Sequence, residues 1–315
     1  MSARNSLESE EWHGLSKNSD IEQFRVQGVP PAAYYIPNFI TESEEAYLLK
    51  KAEESPQPKW RTVGTGRSLL NLALLFVETF KISQEATGGT MSKTGVLLPE
   101  PLPDFMTTFP DIVGRLEKFL SEASRGKYQL DINQVLVNEY KSGQGISPHE
   151  DGPAFQPLVA TISLGSHTVL DIHHYISSSS PSPPMIATAS SSTKDRAGEG
   201  RSVAAVPLSH LLLLPRSLLI LTSSLYLSHL HGISVRDEDV VHCASYCDHE
   251  ADLDLGVMIA NATLLGDTDI IQQMKMSGTW KRKRGVRTSL TFRHAQKVMK
   301  GGAFGKTVRA LRRAC

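Results

Sequence analysis

The chain has 315 residues, of which 40% are hydrophobic, 21% charged and 7% aromatic. That is enough to bury one or two real cores and excludes a peptide-sized module. Three cysteines (Cys243, Cys247 and Cys315) exclude a secreted disulfide framework and point to a reducing compartment. The longest apolar run, Leu69 to Val77, has nine residues and includes Asn71, against the roughly 20 that a membrane helix needs. The N-terminus is polar and lacks the apolar centre of a signal peptide, so no membrane association is expected.

Charge is balanced but unevenly distributed. There are 33 Lys plus Arg and 33 Asp plus Glu, yet the stretch from Ile271 to Cys315 holds 13 basic residues and no acidic one. A basic end on an acidic body suits a polyanionic partner; it equally suits a solvated tail that partly neutralises its own body.

In chain order, residues 1–28 are polar and expected to be disordered. The segment AAYYIPNFI reads as extended and leads to Thr41. Thr41 and Glu44 have capping-box spacing, which predicts an amphipathic helix over ESEEAYLLKKAEE, ended by Pro56 and Pro58. A short strand is predicted over Trp60–Val63. LLNLALLFV is apolar on all sides, and residues 69–87 read either as a buried helix or as an insertion outside the core. Prolines between Pro99 and Pro103 mark a loop. Asp104 to Ala123 then has helical spacing through Phe105, Met106, Phe109, Ile112, Val113, Leu116, Phe119 and Leu120.

Beyond Tyr128 the texture changes to short apolar or alternating runs: QLDINQVLVNEY, PLVATISLG, HTVLDIHHY, SHLLLLPRSLLILT, SLYLSHLHGI and VRTSLTFRH. Separated by Gly, Pro and Ser, they predict a β-sandwich or barrel rather than βαβ repeats. The Ser/Pro-rich stretch after Ile176 and the long link over 233–280 read as loops.

The chemistry centres on Pro148-His149-Glu150-Asp151-Gly152. In extended chain, residues i and i+2 point to one side, so the imidazole of His149 and the carboxylate of Asp151 converge. One more histidine on a neighbouring strand would complete a two-histidine, one-carboxylate face. That set holds Fe(II) and leaves positions open for O2 and a co-substrate. A surface turn is the ordinary alternative for so short a motif. Upstream, Asn138 and Tyr140 share a strand face and are good donors to a carboxylate or keto acid. Downstream, Arg287, Ser289, Thr291 and Arg293 face one way, and Leu290 and Phe292 the other. Two inward arginines are costly unless an anion pairs with them, and a dicarboxylate would do so; an edge strand with its polar face in water is the alternative. His242, Cys243, Cys247 and His249 have spacing compatible with zinc, but the acidic segment around them lacks the knuckles such sites use.

Asn138-x-Tyr140, His149-x-Asp151, a His followed by Gly, and Arg287-x-Ser289-x-Thr291-x-Arg293, in that order, resemble the AlkB family of Fe(II)- and 2-oxoglutarate-dependent dioxygenases. The longer words PPAAYYIPNFITESEEAYLL, VLVNEYKSGQGISPHEDGPAFQPLVATISLGSHTVLD and VRTSLTFR narrow the likeness to one branch of it. The resemblance covers about half the chain. It implies a mostly β protein with flanking helices, built on a double-stranded β-helix (jelly roll) core with an N-terminal helical and extended cap. The cap would span 29–127, with a possible insertion at 69–87. The oxygenase core would span 128–299, with flexible loops at 177–205 and 233–280, followed by a basic tail at 300–315.

The same resemblance implies Fe(II) on His149, Asp151 and a distal histidine. His229 and His231 lie on one face of a strand, so periodicity does not separate them; the family word, His before Gly, selects His231. It implies 2-oxoglutarate and O2 as co-substrates. The far carboxylate of 2-oxoglutarate would rest on Arg287, with Asn138, Tyr140, Ser289, Thr291 and Arg293 around the molecule. His167 is expected to be a satisfied strand histidine, and His173 and His174 to lie at the surface. The implied reaction is oxidative demethylation of alkylated DNA or RNA, on a single strand or a flipped base, by a monomer in nucleus and cytoplasm. Protein hydroxylation or demethylation at the same iron, or a catalytically weak binding module, are the alternatives. Two departures from the family pattern, in 69–87 and 233–280, leave all ligand positions intact.

Overall fold

The computed structural model describes residues 21–54, 61–64, 81–128, 131–176, 201–244 and 256–299. It begins with a short 3-10 turn, Ile21–Phe24, followed by β1 (Ala33–Ile36) and α1 (Glu42–Glu53). Ile21 and Val26 are buried, so order starts before residue 28, earlier than the composition predicts. The capping box of α1 forms as read: Glu44 N donates to Thr41 Oγ1 at 3.2 Å, and Thr41 N donates to Glu44 Oε2 at 2.9 Å.

β2 (Arg61–Gly64) and β3 (Lys81–Thr87) form an antiparallel pair, and β4 (Gly89–Met91) pairs with β5 (Leu97–Pro99). The expectation of an insertion reaching residue 87 is therefore corrected. Residues 81–87 are a strand of the main sheet, while 69–80 lie outside the described residues. The single helix expected over 104–123 is also corrected to two, α2 (Asp104–Thr107) and α3 (Ile112–Ala123). Pro110, without an N–H, cannot continue the first. Asp111 restarts the second by accepting from Gly114 N at 2.8 Å.

The core strands follow: β6 (Gln134–Tyr140), β7 (Ile146–His149), β8 (Leu158–Leu164), β9 (Thr168–His174), β10 (Ser209–Leu213) and β11 (Leu218–Thr222). After a short helix, α4 (Ser223–Leu227), comes β12 (His229–Ile233). The link to the last strand contains β13 (Glu238–His242), β14 (Val257–Met258), α5 (Thr268–Ser277) and β15 (Trp280–Lys283), before β16 (Arg287–Arg293). One sheet runs β1-β11-β8-β16-β6-β3-β2 and a second β10-β9-β12-β7. Strands cross from sheet to sheet in the order of a jelly roll, as expected: β6, β8, β11 and β16 in the larger sheet, β7, β9, β10 and β12 in the smaller.

Alternation along β16 sorts its side chains. Leu290 and Phe292 join Ile162, Val135, Val137 and the α3 residues Leu116, Phe119 and Leu120 on the outer face of the large sheet. Burying side chains of this kind contributes about 1.5–3 kcal/mol each. The inner face packs Val159, Leu219 and Leu221 toward Leu170, Ile172 and Ile233 of the small sheet. Between these walls lies the site.

Residues 233–280 are not the flexible loop expected. β13, β14 and β15 form a three-stranded sheet, with 245–255 outside the described residues. The unit packs Val241, Ile259, Ile270, Met274 and Trp280 into the core, and polar contacts fasten it further. Arg284 donates from Nε and Nη2 to the fully buried Asp239, both at 2.8 Å. Asn261 exchanges two hydrogen bonds with the backbone of Leu212 in β10. His210 Nδ1 lies 2.7 Å from Asp171 Oδ1, and the Ser234 hydroxyl donates to the same carboxylate.

Candidate metal and co-substrate centre

His149 ends β7 and stands opposite His231 of β12 in the ladder. Their ring centroids are 4.5 Å apart. Asp151, two residues past His149, brings Oδ2 to 3.9 Å from His231 Nε2. The Nδ1 of His149 lies 2.9 Å from the Ser147 carbonyl, a contact that directs its Nε2 away from the backbone. His229 instead turns Nδ1 to the Ser224 carbonyl at 2.8 Å, and it does not line the cavity that His231 lines. The register thus separates the two histidines that periodicity leaves together.

That cavity has a volume of about 550 Å³. His149, Asp151, His231, Asn138, Tyr140, Arg287, Ser289, Thr291 and Arg293 all line it, so the nine residues singled out in the sequence come together. Arg293 and Arg287 have different partners. Arg293 donates from Nη1 to Asp151 Oδ1 at 3.1 Å and from Nε to Gln134 Oε1 at 3.0 Å, over the Phe155 ring. Arg287 donates from Nη2 to Ser163 Oγ at 2.9 Å and stands over the Tyr140 ring, while its buried Nε has no hydrogen-bond partner.

The electrostatics match this division. Burial pushes the His231 imidazole down to about 4, so it is neutral and able to offer a lone pair at pH 7. For Asp151, burial alone would raise the pKa, but its interactions with His231, Arg293 and His149, the hydrogen bond from Arg293 included, outweigh burial and keep the carboxyl below its usual range. Burial lowers Arg287 to about 10, which leaves it cationic at neutral pH. The Tyr140 phenol is pushed up to about 12 by burial and remains a hydrogen-bond donor.

Two imidazoles and a carboxylate, with no thiolate beside them, suit Fe(II). An under-partnered buried guanidinium in the same cavity suits a carboxylate. Among the described residues no three His, Cys, Asp or Glu side chains stand close enough to hold one metal ion as they are placed; His149, Asp151 and His231 share the cavity, with Asp151 Oδ2 3.9 Å from His231 Nε2. The zinc alternative gains nothing: Cys243 is buried with a free thiol, and Cys247 and His249 lie outside the described residues. His173, expected at the surface, is buried with Nδ1 3.1 Å from the Ala204 carbonyl. His167 is buried too, but its Nε2 has no hydrogen-bond partner and lies 3.4 Å from Asp239, so it is not the satisfied histidine expected.

Sequence reasoning misses Gln84, Ser163 and the apolar wall of Leu136, Val159, Leu219 and Leu221. Gln84 belongs to β3, a polar strand without a clear period. Ser163 could have been found: TISLG alternates, and Ser163 pairs with Ser289 in the ladder. The basic run Lys281–Arg284 also divides. Lys281, Arg282 and Lys283 are exposed, whereas Arg284 is buried on Asp239. The run precedes the Arg287 end of β16, and Asp151 contacts the Arg293 end, about 20 Å farther along a strand of that length.

The jelly roll and this centre define a class, and sequence comparison agrees. Residues 32–293 match the family described as the 2OG-Fe(II) oxygenase superfamily, and the chain belongs to it; the family uses Fe(II), 2-oxoglutarate and O2. Within it the chain is similar to the "Probable RNA/DNA demethylase ALKBH6" of Danio rerio, 33% identical over 285 residues, which are 90% of this chain and 94% of that protein. It is also 26% identical over 279 residues to the tRNA (carboxymethyluridine(34)-5-O)-methyltransferase ALKBH8 of Macaca fascicularis. That match spans 88% of this chain but 32% of the other. Among solved structures, the one titled "The structure of OsALKBH1" aligns over 85% of this chain and all of that one at 14% identity, with a TM-score of 0.44.

Proposed function

We propose that this oxygenase removes alkyl groups oxidatively from nucleic acid, using Fe(II) held by His149, Asp151 and His231. The observation that carries the reading is Arg287: a buried cation whose only side-chain acceptor among the described residues is Ser163, in the cavity that also contains the three metal-binding candidates. A 2-oxoglutarate carboxylate provides the charge it lacks, and Asn138 and Tyr140 supply neutral donors beside it. Arg293 orients Asp151 and keeps it ionised. With Fe(II) bound, O2 and 2-oxoglutarate yield succinate and CO2 while a C–H bond of the substrate is hydroxylated. When that carbon is a methyl on a base nitrogen, the hydroxymethyl product releases formaldehyde.

Nucleic acid as substrate rests on the likeness to the zebrafish protein, whose name gives RNA and DNA. A target base must leave its stack to enter a cavity of this size, so single strands or flipped bases are the natural substrates. The reading places a monomer in nucleus and cytoplasm. No helix among the described residues is long and apolar enough to cross a membrane.

Succinate release and mass spectrometry of nucleosides test this, with Fe(II), 2-oxoglutarate and panels of methylated RNA and DNA oligonucleotides. Substrate-dependent succinate with loss of a methyl group is expected. Succinate stimulated by peptides alone would assign protein as the substrate. Silence towards every panel would leave a binding module.

A further inference from the structure

The floor of the cavity carries a polar row across four adjacent strands. Gln84 of β3 is in register with Asn138 of β6, Asn138 with Ser289 of β16, and Ser289 with Ser163 of β8. All but Ser163 line the cavity, and Ser163 holds Arg287. At the β3 end of the row, Gln84 Nε2 donates to Asn138 Oδ1 at 2.8 Å. An amide has one acceptor oxygen and one donor nitrogen. With its oxygen occupied by Gln84, buried Asn138 offers the cavity its NH2 group.

We infer that Gln84 is a positioning residue for the co-substrate: it fixes the polarity of the Asn138 amide so that a donor, and not a carbonyl oxygen, meets the 2-oxoglutarate anion. This rests on the reading of Asn138 as a co-substrate contact. Without Gln84 the Asn138 amide can turn, and one of its two orientations sets oxygen against carboxylate. The role also gives β3 a part in the oxygenase site. The β2–β3 pair of the cap thereby takes part in co-substrate binding and does more than extend the sheet.

The substitution Gln84→Glu separates this role from a packing role. The two side chains are nearly isosteric, but a carboxylate only accepts. It draws the Asn138 NH2 toward itself and presents Oδ1 to the cavity. Affinity for 2-oxoglutarate is read by calorimetry on full-length protein loaded with Mn(II), which binds without turnover, and thermal melting of the metal-free protein is read alongside. Gln84→Ala is expected to weaken 2-oxoglutarate about two- to tenfold, the range for a lost neutral hydrogen bond. Gln84→Glu should weaken it more than Gln84→Ala while melting within a few degrees of the wild type. In an Asn138→Ala background Gln84→Ala should have almost no further effect, because Gln84 acts through Asn138. Full additivity with Asn138→Ala, or Gln84→Glu binding as well as wild type, would overturn the inference. If Asn138→Ala itself leaves affinity unchanged, the failure lies in the reading of Asn138. If the Glu variant melts far below wild type, Gln84→Met, which keeps the length without donor or acceptor, replaces it and should behave like Gln84→Ala.

Discussion

Arg293 Nη1 donates to Asp151 Oδ1 at 3.1 Å. The last inward arginine of β16 is thus committed to the carboxylate of the metal-binding trio, while Arg287, six residues earlier, has no carboxylate partner among the described residues and donates to Ser163. The two arginines that alternate identically in the sequence have separate tasks, and their substitutions should fail in different ways.

Arg287→Ala should raise the 2-oxoglutarate requirement by roughly ten- to a hundredfold, because charge-assisted hydrogen bonds contribute about 1.5–3 kcal/mol each. Metal affinity should change little. Arg293→Ala should do the reverse: weaker metal binding, worsening as pH falls, since Asp151 loses a neighbouring cation that holds its pKa low. Titrations of Mn(II) and of 2-oxoglutarate on both variants check this. Equal losses of both ligands in both variants would refute the division.

His231→Ala should abolish metal binding and His229→Ala should spare it. His229 is turned to the Ser224 carbonyl and does not line the cavity. Metal content after reconstitution and dialysis decides between them, and iron retained by the His231 variant would return the assignment to His229.

Stability should fall between pH 6.5 and about 4 in the metal-free protein. His231 and His167 both have folded pKa values pushed down by burial to about 4, so over that window the unfolded chain binds protons that the folded chain does not. Each such histidine contributes a slope of up to about 1.4 kcal/mol per pH unit, with stability lost as pH falls. His167→Gln, remote from the metal-binding trio, should flatten the slope by about one such increment. Denaturant melts at pH 7, 6 and 5 measure it, and an unchanged slope would contradict the neutral buried state of His167.

Arg284→Ala should cost up to about 3–5 kcal/mol of folding stability, the range for breaking a buried pair, because Asp239 is left with the longer contacts to His167 at 3.4 Å and Arg236 at 3.7 Å. Replacing Lys281, Arg282 and Lys283 by Gln should cost little and should leave turnover of a short methylated oligonucleotide intact, since the run lies beyond the far end of β16 from Asp151. A large loss of turnover without loss of stability would place these three residues on the substrate path.

The parts of the fold legible in the sequence are those with a short period. β16 and β6 alternate cleanly, and His149-x-Asp151 combines that geometry with a chemistry few other residues share. The choice between His229 and His231 needs the pairing of His231 with His149, which no single-strand period encodes. The small sheet of β13, β14 and β15 is hard to read for a physical reason: one inward position of β13 holds Asp239, paired with Arg284, and the apolar residues that carry the unit into the core, Val241, Ile259, Met274 and Trp280, are scattered over separate short elements. Gln84 is hard to read from sequence because β3, KISQEAT, is a mostly polar strand without a clear period. Pro110, by contrast, is legible: a residue that cannot sit inside a helix divides one run of apolar helical spacing into α2 and α3.

The most direct test of the account is a crystal structure of the full chain grown without oxygen, with Mn(II) and 2-oxoglutarate. The metal should be bound by one nitrogen each of His149 and His231 and by a carboxylate oxygen of Asp151. One end of 2-oxoglutarate should meet the metal and the other the guanidinium of Arg287. A metal bound elsewhere, or a co-substrate that leaves Arg287 unpaired, would contradict it.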